Sequence, residues 1–186
     1  MSDATIDVLG IGNAIVDVLA DADDAFLSLR GLEKGSMSLI DAQAAEELYR
    51  SMGNRVECSG GSAANTMAGI ASFGGRAAYI GKVGDDGLGR VFRGDIHEAG
   101  VRFDTAVAED GPPTGRCLVL VTPDGQRTMQ TLLGASATLA PRDVEPGLVR
   151  ESRVTYLEGT CGTPRRRRRR FWRRPGSPTK PDERSP

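Results

Sequence analysis

The sequence predicts an α/β fold: a parallel sheet covered by helices on both faces, three layers in all, with a small separate β-layer beside it. Two observations predict the three layers. Short apolar runs alternate with helical patterns along most of the chain, the arrangement that feeds parallel strands through helical crossovers. At 186 residues and 39% hydrophobic composition, the chain also has room for one domain with a real core. A third observation predicts the extra β-layer: two stretches, "LSLRGLEKGSMSLI" and a hairpin pattern, break the alternation.

Taken in order, "IDVLGIG" is an apolar run ending in glycines, a buried strand leaving into a turn. In "SLIDAQAAEELYRSM", Asp41 is placed to cap a helix rich in Ala, Glu and Leu. "SAANTMAGIASFG" is small and apolar all round, which predicts a buried helix. "RAAYIGKVG" reads as a strand, and "DDGLGRVFRGDIHEAGV" as an amphipathic helix with acids at its start and glycine at its stop. "GRCLVLVTPDGQRTMQTLLG" is a hairpin about a Pro-Asp-Gly turn. "PRDVEPGLVRESRVTYLEG" predicts a short helix followed by another buried strand. No internal repeat is evident.

Charge is unevenly spread. Residues 1–159 carry 14 basic against 23 acidic side chains, about −9, whereas residues 160–186 carry ten basic against two acidic, about +8. That tail also holds half of the ten prolines, and its composition predicts disorder. Cys58, Cys117 and Cys161 lack metal-ligand spacing and do not form a disulfide framework, so no metal site is expected. The N-terminus lacks a basic leader region, and no apolar run approaches the length of a membrane helix. The expectation is a cytoplasmic protein in a reducing compartment, with no membrane partner.

Nine glycines fall between Cys58 and Gly89. Glycine serves where a chain turns tightly or a backbone presses against something else. Gly60, Gly61 and Ser62 stand at the start of the predicted buried helix, where free N–H groups and the helix dipole favour anions and hydroxyl oxygens. Asn65 falls one turn in, and Asn13 and Asp17 follow the first strand. Carboxylates and amides at strand ends suit a polyol, because each takes a pair of hydroxyls. The alternative is that Asn13 and Asp17 are turn and cap residues and that the glycines only allow close packing.

The segments "GIGNAIVDVLA", "SGGSAANTMAGIASFGG" and "IGKVGDDGLGRVFRGDIHEAGV", in this order, resemble the N-terminal half of the ribokinase-like, or PfkB, family of sugar and nucleoside kinases. "TGRCLVLVTPDGQRTMQTLLGAS" is most similar to the adenosine-kinase-like branch. The resemblance covers roughly residues 5–159; Met67 departs from it, standing where a smaller residue is usual. It implies a ribokinase-like three-layer sheet with a lid, formed here by residues of about 27–40 and 105–133, and ATP-dependent phosphorylation of a sugar or nucleoside hydroxyl. It places Asn13, Asp17, Gly60, Gly61 and Asn65 on substrate hydroxyls, and Met37, Cys117 and Arg127 as lid or phosphate contacts. Arg127 reads equally as a solvated strand charge. Asp85-Asp86 is read as a helix cap rather than a metal site, and His97 as a partly exposed helix residue. A homodimer through the lid is a further implication.

The resemblance stops at Gly159. The family's Gly-Ala-Gly-Asp type motif, which supplies the catalytic base, the anion hole and the surroundings of the MgATP site, has no counterpart in this sequence. The expectation is a chain lacking the C-terminal half, its catalytic Asp and its ATP site, and therefore inactive. "GTCGTP" back-translated and moved by one base can spell Tyr-Leu-Trp-Asp-Pro, a family-like continuation, so the tail is expected to be out-of-frame translation. The alternative function is polyanion binding, with nucleic acid held by "RRRRRRFWRRP" and bases stacked on Phe171 and Trp172.

Overall fold

The computed structural model describes residues 5–158. Along the chain, β1 (Ile6–Ile11) and β2 (Ile15–Asp21) are followed by α1 (Asp24–Leu29), β3 (Met37–Leu39), α2 (Ala42–Ser51), β4 (Arg55–Gly60), α3 (Ser62–Ser72) and β5 (Ala77–Ile80). Then come α4 (Gly87–Glu98), the hairpin strands β6 (Gly115–Val121) and β7 (Arg127–Leu132), two 3-10 turns (Gly134–Thr138 and Pro141–Asp143), α5 (Pro146–Glu151) and β8 (Ser152–Leu157).

Two sheets form. One is parallel, in the order β5-β1-β8, with Val8 beside Ala77 and Val154. α3 covers one face of it, against β1 and β5, and α5 the other, against β1 and β8, the three-layer arrangement; α4 packs on β4 and β2 of the second sheet. The second sheet has the order β3-β7-β6-β2-β4. Within it β2 runs antiparallel to β4 and parallel to β6, and β3 runs parallel to β7. The main core lies between them: Val16, Val18, Leu118 and Leu120 from the second sheet meet Met67, Tyr79, Phe92, Ile96 and Phe103. Phe92 and Phe103 meet edge to face at 5.3 Å. A smaller core of Ile6, Leu9, Ile11, Ala78 and Ile80 closes against Leu148 of α5. Each such large side chain contributes about 1.5–3 kcal/mol on burial.

Local chemistry explains the helix starts. Asp23, Asp41 and Asp86 each accept a hydrogen bond from the backbone N–H three residues on, at 2.7, 2.8 and 2.8 Å. Asp86 does more than cap α4. Its other oxygen accepts from Thr114 N, and the Thr114 hydroxyl donates to Asp86 Oδ1 at 2.7 Å while accepting from Gly84 N. The start of α4 is thus stapled to the entry of β6.

Four expectations are corrected. First, the segment before the buried helix, for which the sequence predicts no strand, is one: polar residues 55–60 become β4 because β2 offers a full ladder, Ile15 against Gly60 through Ala20 against Arg55. The second sheet therefore draws in β2 and β4 besides the two predicted lid segments. Second, within 27–40 only Met37–Leu39 is a strand; α1 ends at Leu29. Third, α3 is not buried all round. Ala63, Ala64 and Met67 face the core, while Asn65 and Thr66 are exposed and Phe73, just beyond, is 93% exposed. Met67 fits despite its size because Gly10 of β1 has no side chain; a Cβ there would lie 2.7 Å from Met67 Cγ. Fourth, β8 is an edge strand, and Val154, Tyr156 and Leu157 remain exposed. No helix among the described residues is long and apolar enough to cross a membrane. The basic tail, with Cys161, Phe171 and Trp172, lies outside the described residues.

Candidate functional site

The turn between β1 and β2 and the junction between β4 and α3 lie against each other. In β2, Asp17 stands opposite Cys58 of β4, two residues from the Ile15–Gly60 pair. Its carboxyl group folds over Gly60: a Cβ built there would lie 2.4 Å from Asp17 Cγ and Oδ2. Gly61 has φ +92°, and a Cβ on it would fall 2.5 Å from the Asn13 carbonyl oxygen. Both glycines are therefore required, one by the Asp17 side chain and one by the Asn13 backbone. Asn65 follows one turn into α3, its N–H on Gly61 O, and it is exposed. The structure thus brings Asn13, Asp17, Gly60 and Gly61 together, with Asn65 on the adjoining turn.

Across the second sheet, Cys58, Asp17, Cys117, Thr131 and Leu39 form one row of pairs on one face. Asp17 is half-buried, and its carboxyl group makes no hydrogen bond or ion pair among the described residues. Burial alone pushes its pKa up. Burial also raises both flanking thiols, Cys58 further through the charges of Asp17 and Asp95, so both remain protonated near neutral pH and are weak nucleophiles. Thr131 Oγ1 donates to Cys117 Sγ at 3.3 Å. Met37 lies two pairs on from Leu39, opposite Met129, and is 52% exposed. Arg127 lies four residues from Thr131 at the exposed hairpin end, about 13 Å along the strand. It is not brought to the Asp17 cluster. His97 closes α4 with its Nε2 2.9 Å from Phe103 O, a packing role.

One residue of the cluster escaped sequence reasoning. Glu158 follows β8, with its N–H on Ile11 O. Its side chain turns onto the start of α3, where Oε2 accepts from Ala63 N at 2.9 Å and Oε1 from Ser62 Oγ. The helix N-terminus that the sequence offers to an anion or a ligand hydroxyl is held by the chain's own carboxylate. Beside it, a Cβ on Gly12 would lie 3.1 Å from Glu158 Oε2 and 3.5 Å from the Tyr79 hydroxyl. That hydroxyl is fully buried and has no hydrogen-bond partner among the described residues. Burial, with the charge of Glu158 second, drives its pKa far up. No local pattern marks Glu158, since it is one acid after an apolar run.

These groups line the carboxyl ends of the parallel strands, where ligands of open α/β sheets bind: Gly12 and Asn13 after β1, Gly81 and Lys82 after β5, Glu158 after β8. Lys82 is held in a buried ion pair, Nζ to Asp143 Oδ1 at 2.6 Å. The described residues do not fit a magnesium–nucleotide site. Both oxygens of Asp86 are committed to Gly89 and Thr114, the α3 N-terminus is filled by Glu158, and no three metal-ligating side chains gather among the described residues.

A three-layer parallel sheet joined to a second sheet, with Asn13, Asp17, Gly60 and Gly61 gathered where the two meet, defines an α/β fold of the ribokinase-like kind. Residues 35–166 match the pfkB family carbohydrate kinases, and the chain belongs to that family. It superposes on the crystal structure of adenosine kinase from Sinorhizobium meliloti with a TM-score of 0.76 and 56% identity, over 83% of this chain and 47% of that one. A probable sugar kinase protein from Rhizobium etli CFN 42 gives 0.77 and 48% identity over the same shares. Fructokinase-2 of Solanum habrochaites is 31% identical over 103 residues, 54% of this chain and 31% of the relative. The chain thus spans about half the length of these solved structures and about a third of the curated relative.

Proposed function

We propose that this chain is the sugar- or nucleoside-binding half of a PfkB-type kinase, the class that phosphorylates a substrate hydroxyl with MgATP, and that its ligand is a nucleoside, adenosine first. The observation that carries this is the convergence of Asn13, Asp17, Gly60 and Gly61 at the end of β1. Asp17 is an unpaired, half-buried acceptor. A pair of ribose hydroxyls satisfies it and offsets the cost of burying its charge. The row of Cys117, Thr131 and Leu39, with exposed Met37 and Val56 nearby, gives the apolar face that a base or sugar ring lies against. The 56% identity to an adenosine kinase favours adenosine over fructose.

Asp17 holds hydroxyls; it is not the base. Phosphoryl transfer needs a group to take the proton from the attacking hydroxyl, and donors for the transferred phosphoryl. The 186-residue sequence carries no Gly-Ala-Gly-Asp type motif for either task. The chain therefore binds without turning over. Calorimetric titration of the purified chain with adenosine and D-fructose, beside an ADP-release assay with MgATP, tests this. Binding without ADP release is expected. Turnover would overthrow the inactive reading, and no binding of either ligand would overthrow the pocket. Resequencing the codons from Val154 to Phe171 decides the out-of-frame origin of the tail: a missing or extra base restores a longer kinase, and a confirmed sequence ends that idea.

A further inference from the structure

The parallel sheet is closed at one edge and bare at the other. Beyond β5 the chain returns on itself: Tyr79 N donates to Arg102 O at 2.8 Å, and Arg102 N to Ala77 O at 3.0 Å. β8 pairs with β1 alone among the described residues, so it presents an open edge. Five of its six residues are exposed, although strands of a parallel sheet are ordinarily covered on both faces. The register says which face is bare. Val154 and Tyr156 pair with Val8 and Gly10, on the face that α3 covers, since Gly10 lies against Met67. α3 sits over β1 and β5, which leaves Val154 and Tyr156 exposed beside it. Ser62 at the start of α3 bonds Glu158 at the end of β8, and by helical spacing Thr66 and the exposed Phe73 continue that flank. Val154, Tyr156 and Phe73 thus mark the place that a covering helix takes in a three-layer sheet.

We propose that this edge is an interaction surface for a second polypeptide: the C-terminal half of a PfkB-type kinase, which lays a strand parallel to β8 and seats an apolar helix on Val154 and Tyr156 beside Phe73. The inference rests on the reading of this chain as half of such a kinase, and not on its pocket. With 83% of itself the chain superposes on 47% of the Sinorhizobium meliloti adenosine kinase, and β8 is the sheet edge at which the shared half is open. The residues after Glu158 do not supply the cover, because six consecutive arginines and five prolines carry no pattern of a strand or an apolar helix. A second copy does not supply it either. Its helices α2 to α5 are already seated on its own strands, and two-fold pairing would set β8 antiparallel to β8.

The test is co-expression of the whole chain with the affinity-tagged C-terminal half of that adenosine kinase, the part that the superposition leaves out. Size-exclusion chromatography with light scattering reads the result. A one-to-one complex is expected, with a Kd below about 10 µM. Val154→Glu combined with Phe73→Ser should weaken it at least about tenfold; both positions are exposed, so the fold is spared. Leu29→Ser, at an exposed apolar residue on α1, should leave it unchanged. No complex, or one indifferent to the double variant, overturns the proposal. So does a C-terminal half that stays insoluble beside the chain. A dimer of the chain alone that the double variant breaks gives the edge to a second copy and overturns it too. Complex formation needs no nucleoside, so adenosine binding stands or falls separately.

Discussion

Gly60→Ala puts the closest contact of the candidate site under direct test. Gly60 is not among the positive-φ glycines, so alanine meets no backbone penalty there. The penalty is steric. The new Cβ would lie 2.4 Å from Asp17 Cγ and Oδ2 and 2.7 Å from Oδ1, against an ordinary contact of about 3.5–4.0 Å. The carboxyl group must move by more than about 1 Å, between Cys58 and Cys117 on its flanks. Overpacking of this kind costs about 1–3 kcal/mol, which in a chain of this size lowers Tm by roughly 4–8 °C for the middle of that range. Asp17→Ala removes the obstructing atoms. In that background Gly60→Ala should be neutral or slightly stabilising, giving a coupling of about 1–2 kcal/mol. The assay is urea unfolding of all four proteins by circular dichroism. An equal cost of Gly60→Ala with and without the Asp17 carboxyl group would show that the two do not touch.

Two further outcomes follow from buried charge. Burial raises the Asp17 pKa in the folded chain above its unfolded value, so its ionisation opposes folding: the strain is absent below the unfolded pKa and complete above the folded one. Asp17→Asn should therefore melt higher than the parent near pH 7, with the difference shrinking as pH falls through the carboxylate range; a difference constant with pH refutes this. Lys82→Met leaves Asp143 buried without its partner at 2.6 Å and should cost about 3–5 kcal/mol in urea unfolding. The double change Lys82→Met with Asp143→Leu should cost less than Lys82→Met alone, and a loss under about 1 kcal/mol in the single variant would sink the argument.

What could be read from the chain was what local chemistry decides. Asp41 and Asp86 announce their helices because an aspartate at the N-cap accepts from the N–H three residues on whatever surrounds it. Pro123-Asp124-Gly125 announces its hairpin in the same way, with Gly125 at φ +78°. The motifs single out Asn13, Asp17, Gly60 and Gly61, and the fold brings these four side by side. β4 was not, because Arg55–Gly60 is polar and becomes a strand only against β2. The exposed flank of α3 was missed for the converse reason. Small apolar residues predict burial, but burial requires a neighbour, and Phe73 has none over most of its surface. Glu158 joins the cluster through the pairing of β8 with β1, a contact between residues far apart in sequence that no local pattern encodes.

The position of β1 at the centre of the parallel sheet bears on how the chain folds as it is synthesised. Ile6 emerges 146 residues ahead of its partner Ser152. At about 5–20 residues per second that is a wait of roughly 7–30 s. Meanwhile β6 and β7 need only the turn from Val121 to Arg127, and Ala20 meets Arg55 within the first third of the chain. The second sheet can therefore be complete while the central strand of the first still has one side bare. The sheet on one side of the candidate site is thus paired early, and the floor beneath it gains β8 only after every other described strand has emerged.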